Sequence, residues 1–212
     1  DTVAVEPDPS KTIGAGAIRQ LKSHYGLDNL EVIEAWGESL PLPNSSFDVV
    51  YIRQAVHHAQ DLQAFIKEAA RLLNEDGILF TARDHVINDD ADKAWFLKAH
   101  PLHKFYGGEN AFTESEYDSA ITKAGLEMVQ KYYHYDSVIN YFPEKKNDVE
   151  EKLENRKLFV EGLWKKKVPS PFRNIVSLKR WYFERAEKKL GKVVDADKIP
   201  GRLITYIARK NK

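Results

Sequence analysis

An α/β fold built on a mostly parallel sheet is the architecture this sequence predicts. Three observations carry it. Short β-rich runs alternate with amphipathic helical stripes over the first two thirds of the chain. The run Phe47-Asp48-Val49-Val50-Tyr51-Ile52 is apolar on both faces, as a strand covered by helices on each side would be. The chain has 212 residues, 42% of them hydrophobic and 11% aromatic, enough for one ordinary core and against wholesale disorder.

Val3-Ala4-Val5 is β-rich and runs into the turn Glu6-Pro7-Asp8-Pro9, so it is read as a strand. Ile18, Leu21 and Tyr25 recur at helical spacing, with Gly26 as the stop. Leu30 to Ile33 and Phe47 to Ile52 are the next two strands. Asp61 is placed to cap a helix whose apolar face is Leu62, Phe65, Ile66, Ala69, Ala70 and Leu73. Asn74-Glu75-Asp76-Gly77 reads as a turn and Ile78 to Ala82 as a buried strand. Thr113 and Glu116 form a capping box for a helix carrying Tyr117, Ala120, Ile121 and Ala124, closed by Gly125. Leu126 to Tyr135 is a further strand. From about Asp136 the pattern turns helical and charged, with a break at Val168-Pro169-Ser170-Pro171 and a stripe of Ile175, Leu178, Tyr182 and Ala186. Arg202 to Arg209 alternates as a last strand. No internal repeat or low-complexity tract is present.

Lys+Arg and Asp+Glu both number 32, a formal net charge of zero, which argues against a nucleic-acid binder driven by global charge. The absence of cysteine removes disulfides, thiolate zinc sites and cysteine nucleophiles. No apolar run approaches the roughly 18 residues of a membrane span, and no signal peptide is visible, so a cytoplasmic location is the default expectation. The chain opens Asp1-Thr2-Val3 and its only methionine is Met128, which suggests a fragment or a trimmed product.

The stretch Glu38-Ser39-Leu40-Pro41-Leu42-Pro43-Asn44-Ser45-Ser46-Phe47-Asp48-Val49-Val50 resembles the class I S-adenosylmethionine-dependent methyltransferases, in their methyltransferase type 11-like branch. An acidic residue, Leu-Pro, a short turn and Phe-Asp lead there into the fourth strand. Arg53-Gln54-Ala55-Val56-His57-His58, a helix, the Gly77 turn and a strand ending Arg83-Asp84-His85 continue the likeness. Val3 to Ser10 is similar to the family's second strand and its acidic end. The resemblance covers about residues 1–135 and the last strand. It implies a Rossmann-like, doubly wound, mostly parallel sheet with an antiparallel last strand, truncated at the N-terminus. The expected division is an incomplete core over 1–136, a helical insertion over 137–198 and the core's last strand over 199–212.

The same resemblance implies S-adenosyl-L-methionine as cofactor and a small-molecule methyl acceptor. In open parallel sheets ligands sit beyond the carboxyl ends of the strands. Glu6, with Pro7, occupies such an end, and its carboxylate is suited to two ribose hydroxyls. Trp36 stands where the family often has Asp; it, Gly37 and Glu38 are assigned to the adenine side. Arg53 and Gln54 are assigned to the methionine side. The family's glycine-rich loop belongs before Val3 and has no counterpart here. Gly14-Ala15-Gly16 falls inside the helix after Glu6 and is no substitute. The chain as written is therefore expected to bind the cofactor weakly or not at all.

Methyl transfer from a sulfonium is an in-line displacement that needs alignment and sometimes a base. Histidine suits that role near neutral pH, and His57, His58, His85 and His103 are the catalytic candidates, with His100 also on the presumed substrate side. His100 and His103 with Glu109 offer a metal-ligand alternative, weakened by Pro101. Residues 165–192 hold ten basic and two acidic residues interleaved with aromatics. Peripheral contact with a membrane surface, an anionic substrate or RNA stands there beside a solvated pair of helices balanced by the acidic stretch Asp148 to Glu154. The competing functional readings are a catalytically inactive binding module of the same fold and another nucleotide-using α/β enzyme; the Glu-Ser-Leu-Pro…Phe-Asp run speaks against the last.

Overall fold

A computed structural model describes residues 1–99, 110–133, 136–193 and 203–211. In chain order the elements are β1 (Thr2–Val5), α1 (Ala15–Tyr25), β2 (Leu30–Ile33), β3 (Phe47–Arg53), a 3-10 turn (Val56–His58), α2 (Leu62–Leu72), β4 (Leu73–Ile87) and α3 (Asp90–Ala99). They continue with β5 (Phe112–Thr113), α4 (Glu114–Lys123), β6 (Leu126–Tyr132), α5 (Val138–Tyr141), α6 (Lys146–Lys167), a second 3-10 turn (Ser170–Phe172), α7 (Val176–Val193) and β7 (Leu203–Lys210).

The strands form two sheets. β1 pairs β2 in parallel, Thr2 opposite Leu30 and Val5 opposite Ile33. The larger sheet has the order β3-β4-β7-β6, with β5 joined to the end of β4. β3 and β4 are parallel, whereas β7 runs antiparallel to both β4 and β6. No hydrogen-bonded strand bridges β1 to β3 among the described residues, so the strands are split into two sheets there.

The split corrects one expectation from the sequence. β3 is not covered on both faces: Val49 is 54% and Tyr51 57% exposed. The apolar stripe of α1 is equally bare at Leu21 and Tyr25. These residues have the pattern of buried elements, but the layer that would cover them is not among the described residues.

Elsewhere the local signals act as expected. Asp61 Oδ1 accepts from Ala64 N at 3.0 Å and caps α2. Thr113 N–H donates to Glu116 Oε2 and Glu116 N–H to Thr113 Oγ1, closing the capping box of α4. The core lies between α2, α4 and the face of β4 and β7, around Ile66, Leu73, Leu79, Tyr117, Ile121 and Tyr206. Asn74 to Gly77 is not a free turn but an irregularity inside β4. There the register jumps from Phe47 opposite Leu73 to Val49 opposite Ile78, and Asp76 takes φ 61°.

Gly14 stands just before α1, and the preceding loop closes onto that helix start. Ala15 N–H donates to Asp8 O at 2.6 Å, Gly14 N–H to Ser10 Oγ at 3.1 Å and Ala17 N–H to Ser10 O at 3.2 Å. A Cβ at Gly14 would overlap the Asp8 carbonyl, which is backbone and cannot swing aside. Gly14→Ala is expected to cost about 1–3 kcal/mol, the usual range for forced overpacking. The shift in urea midpoint measures it.

Candidate functional site

β1 and β2 run parallel to each other, as do β3 and β4, and an open α/β sheet receives ligands beyond the carboxyl ends of such strands. Glu6 follows β1; its N–H donates to Ile33 O at 3.1 Å, and its Oε1 accepts from Asp8 N at 2.9 Å. One carboxylate oxygen is thus occupied by its own turn. Pro7 lies in that turn. Trp36 follows β2 and is 64% exposed.

Gly37 and Glu38 are committed to the fold. A Cβ on Gly37 would overlap the Phe65 ring of α2, and Glu38 Oε1 accepts from Gln60 N at 2.9 Å. The Leu-Pro segment that follows is gripped by α2. Glu68 Oε1 accepts from Leu40 N at 2.7 Å, while Arg71 donates to Leu42 O at 2.8 Å, Leu40 O at 3.2 Å and Asn44 Oδ1 at 2.5 Å. The hydrogen bond from Arg71 holds the Glu68 carboxyl below its ordinary value against partial burial. The motif that carries the family resemblance is, in this structure, a loop clamped to a helix by one ion pair.

Arg53 and Gln54 end β3. Gln54 takes φ 51°, in the left-handed region, and its N–H donates to Ala82 O at 3.0 Å. Arg83 on β4 also takes a positive φ, 57°. The end of β3 and the neighbouring irregularity inside β4 thus carry backbone strain of the kind that clusters at functional sites. Burial and then the charge of Arg53 hold the Arg83 guanidinium below its ordinary value, so the two cations are neighbours. No hydrogen bond or ring contact links Glu6 or Trp36 to Arg53 or Gln54 among the described residues.

Three of the histidines converge. The 3-10 turn places the His57 ring 4.1 Å from that of His58 and 4.9 Å from that of His85, with Phe96 6.1 Å away. The sequence reading missed what holds His57, which is Asp84. Its carboxylate is fully buried and accepts from Val56 N at 3.1 Å, His57 N at 3.0 Å, His57 Nδ1 at 2.7 Å and Tyr117 OH at 3.3 Å. Burial pushes this carboxyl up, but the His57 imidazole and the two backbone donors outweigh burial and keep it below the usual carboxylate range. Burial and the Asp84 charge raise the Tyr117 phenol well above its ordinary value, so it stays a donor.

A bulge makes this possible. The register of β4 against β7 shifts between Thr81 and Asp84. The buried phase passes from Leu79 and Thr81 to Ala82, Asp84 and Val86. An acidic residue at the end of an apolar strand was the available signal, and it is the one that singled out Glu6. Its partners, 27, 28 and 33 positions away, were not visible in the sequence.

His100, His103 and Glu109 lie outside the described residues. Among those described, no group of three or more His, Asp or Glu side chains is placed to hold a metal ion.

Comparison with known proteins agrees with the architecture. Residues 4–81 match the family model described as a methyltransferase domain. An uncharacterized methyltransferase of Bacillus subtilis, YcgJ, is 32% identical over 95 residues, covering 42% of this chain and 37% of that protein. The ubiquinone/menaquinone biosynthesis C-methyltransferase UbiE of Campylobacter jejuni is 38% identical over 81 residues, 36% of this chain and 32% of its own length. The matched segment thus spans only about a third of these relatives. The crystal structure of geranyl diphosphate C-methyltransferase from Streptomyces coelicolor, complexed with Mg2+, geranyl diphosphate and S-adenosyl-L-homocysteine, superposes with TM-score 0.58 at 11% identity, covering 98% of this chain and 62% of that one. Residues 4–81 are thus similar in sequence to a methyltransferase domain, and the fold is like that of solved methyltransferases.

Proposed function

We propose that this chain is part of an S-adenosyl-L-methionine-dependent methyltransferase acting on a small molecule, with His57 as general base and Asp84 as the residue that positions it. The buried His57–Asp84 pair at the carboxyl rim of the larger sheet carries the reading. With its Nδ1–H donated to Asp84, the imidazole has Nε2 as its basic atom. Asp84 stabilises the imidazolium that forms when a proton is taken from the acceptor. His58 and His85 shape the wall beside it. Arg53, with Arg83 adjacent, makes the end of β3 positive and suits an anionic group of either ligand.

The cofactor supplies an electrophilic methyl group when bound. The residues present suit it only in part. Glu6 and Trp36 are available on one sheet and Arg53 and Gln54 on the other, but the space over Gly37 is filled by the chain's own Phe65, and no glycine-rich cradle is seen among the described residues. Impaired binding of the cofactor by this chain is therefore part of the proposal.

Calorimetric titration with S-adenosyl-L-methionine is expected to give little or no heat at micromolar ligand; micromolar affinity overturns the impairment. In a form of the protein that transfers labelled methyl groups to small acceptors, His57→Gln is expected to lower the rate about 10²–10⁴-fold while leaving cofactor affinity unchanged. An unaltered rate removes His57 as the base. Cofactor binding with no transfer to any acceptor, in wild type as in the variant, favours the inactive binding module, to which the split sheet lends weight.

A further inference from the structure

The hairpin formed by α6 and α7 has two unlike sides. Between the helices, the Trp164 ring lies 5.1 Å from Tyr182 and 6.4 Å from Phe183, and Lys179 Nζ is 4.0 Å from Glu161. At about 100° per residue, Trp181 falls on the opposite arc of α7. Trp181 is 55% exposed, and the tip residues Phe172, Ile175 and Val176 are exposed as well, Val176 at 80%. Arg185 stacks over Trp181, its guanidinium carbon 5.5 Å from the ring centroid.

The tip is fixed in shape. Arg173 Nε donates to Val168 O at 2.7 Å, and its guanidinium also reaches Lys165 O, closing the end of α6. Lys165, Lys166 and Lys167 end α6 beside this tip and have no acidic partner among the described residues. Within the acidic stretch expected to balance them, Glu150 pairs with Lys146 at 3.7 Å at the start of α6. A chain of zero net charge thus gathers a cationic, apolar tip at one end of its helical segment.

We infer that this tip docks on an anionic lipid surface. Phe172, Ile175 and Val176 enter the boundary between headgroups and acyl chains, Trp181 with Arg185 sits at headgroup level, and the lysines meet the negative charge. Apolar side chains at a tip flanked by Lys, Arg and Trp have the composition of interfacial elements. Single-stranded nucleic acid is the poorer fit, because Ile175 and Val176 offer no ring on which a base could stack. No described helix is long and apolar enough to cross a membrane, so the contact is with the surface. The inference does not depend on the methyl-transfer reading.

Sedimentation of the full chain with phosphatidylglycerol/phosphatidylcholine vesicles tests it. The chain is expected to pellet with these vesicles and not with phosphatidylcholine alone, and to be released by salt. Replacing Lys165, Lys166 and Lys167 together by Gln is expected to lower partitioning about a hundredfold, from a factor of roughly five per charge. Phe172→Ser with Val176→Ser is expected to abolish quenching of fluorescence by brominated lipid, and Trp181→Phe to remove the quenched component. All these positions are exposed, so folding is expected to survive, and circular dichroism checks it. Failure to bind anionic vesicles at low salt, binding unaltered in both variants, or binding of an RNA oligonucleotide in place of vesicles overturns the inference.

Discussion

Asp84→Ala is expected to destabilise the protein by about 3–5 kcal/mol, the cost of removing one partner from a buried, hydrogen-bonded pair. The variant leaves the N–H groups of Val56 and His57, the His57 Nδ1–H and the Tyr117 hydroxyl facing an empty space. Unmade buried hydrogen bonds of this kind cost about 1–3 kcal/mol each, and relaxation recovers part of that. Asp84→Asn is expected to do little better, since an amide NH2 would meet donors. The pH dependence follows from the direction of the shift. The folded carboxyl titrates below its unfolded value, so its contribution is complete above about pH 5 and is lost as pH falls through the folded value. Urea unfolding of wild type and Asp84→Asn at a series of pH values is expected to show the gap shrinking in acid. A gap that widens in acid contradicts an ionised Asp84.

Tyr206 offers a contrast of sign. Its ring is fully buried in the centre of β7 and stacks on Tyr117 at 5.0 Å. Its hydroxyl is buried with no hydrogen-bond partner among the described residues, and burial drives its acidity far down. Tyr206→Ala removes the ring and opens a cavity between α4 and the sheet, at an expected cost of about 3–5 kcal/mol. Tyr206→Phe keeps the ring and deletes the orphaned hydroxyl, and is expected to stabilise by about 1 kcal/mol. Thermal and urea denaturation of the two variants check both directions. A destabilised Tyr206→Phe shows that the hydroxyl is satisfied after all.

The elements written in local chemistry were legible in the sequence. Asp61 and the Thr113–Glu116 box announce α2 and α4 because capping needs only neighbours within one turn. His57 and His58 were legible as rim residues because they follow β3, whereas His85, expected just after a strand, lies inside β4 opposite Leu203. The anchoring of His57 by Asp84 was not legible, because a β-bulge decides which way that side chain faces, and a bulge depends on the partner strand far along the chain. Gly37 and Glu38 illustrate the opposite error. Their positions fit a ligand loop, yet packing against Phe65 and the Gln60 N–H absorbs both. Val49, Tyr51, Leu21 and Tyr25 have the composition of buried elements and are exposed because apolar pattern records what a segment is suited to cover, not whether the cover is there.

Two strands and one helix are too little to stand alone in water. The small β1–β2 unit therefore borrows its rigidity from α2 through the Arg71 clamp on Leu40 and Leu42 and the Glu38 tie to Gln60. Those few bonds act as a mooring: slackening them would let Glu6 and Trp36 drift while the histidine cluster stays anchored in the larger sheet. The two halves of the rim are thus held by the polar ties of one half-buried arginine together with the packing of Gly37 on the Phe65 ring.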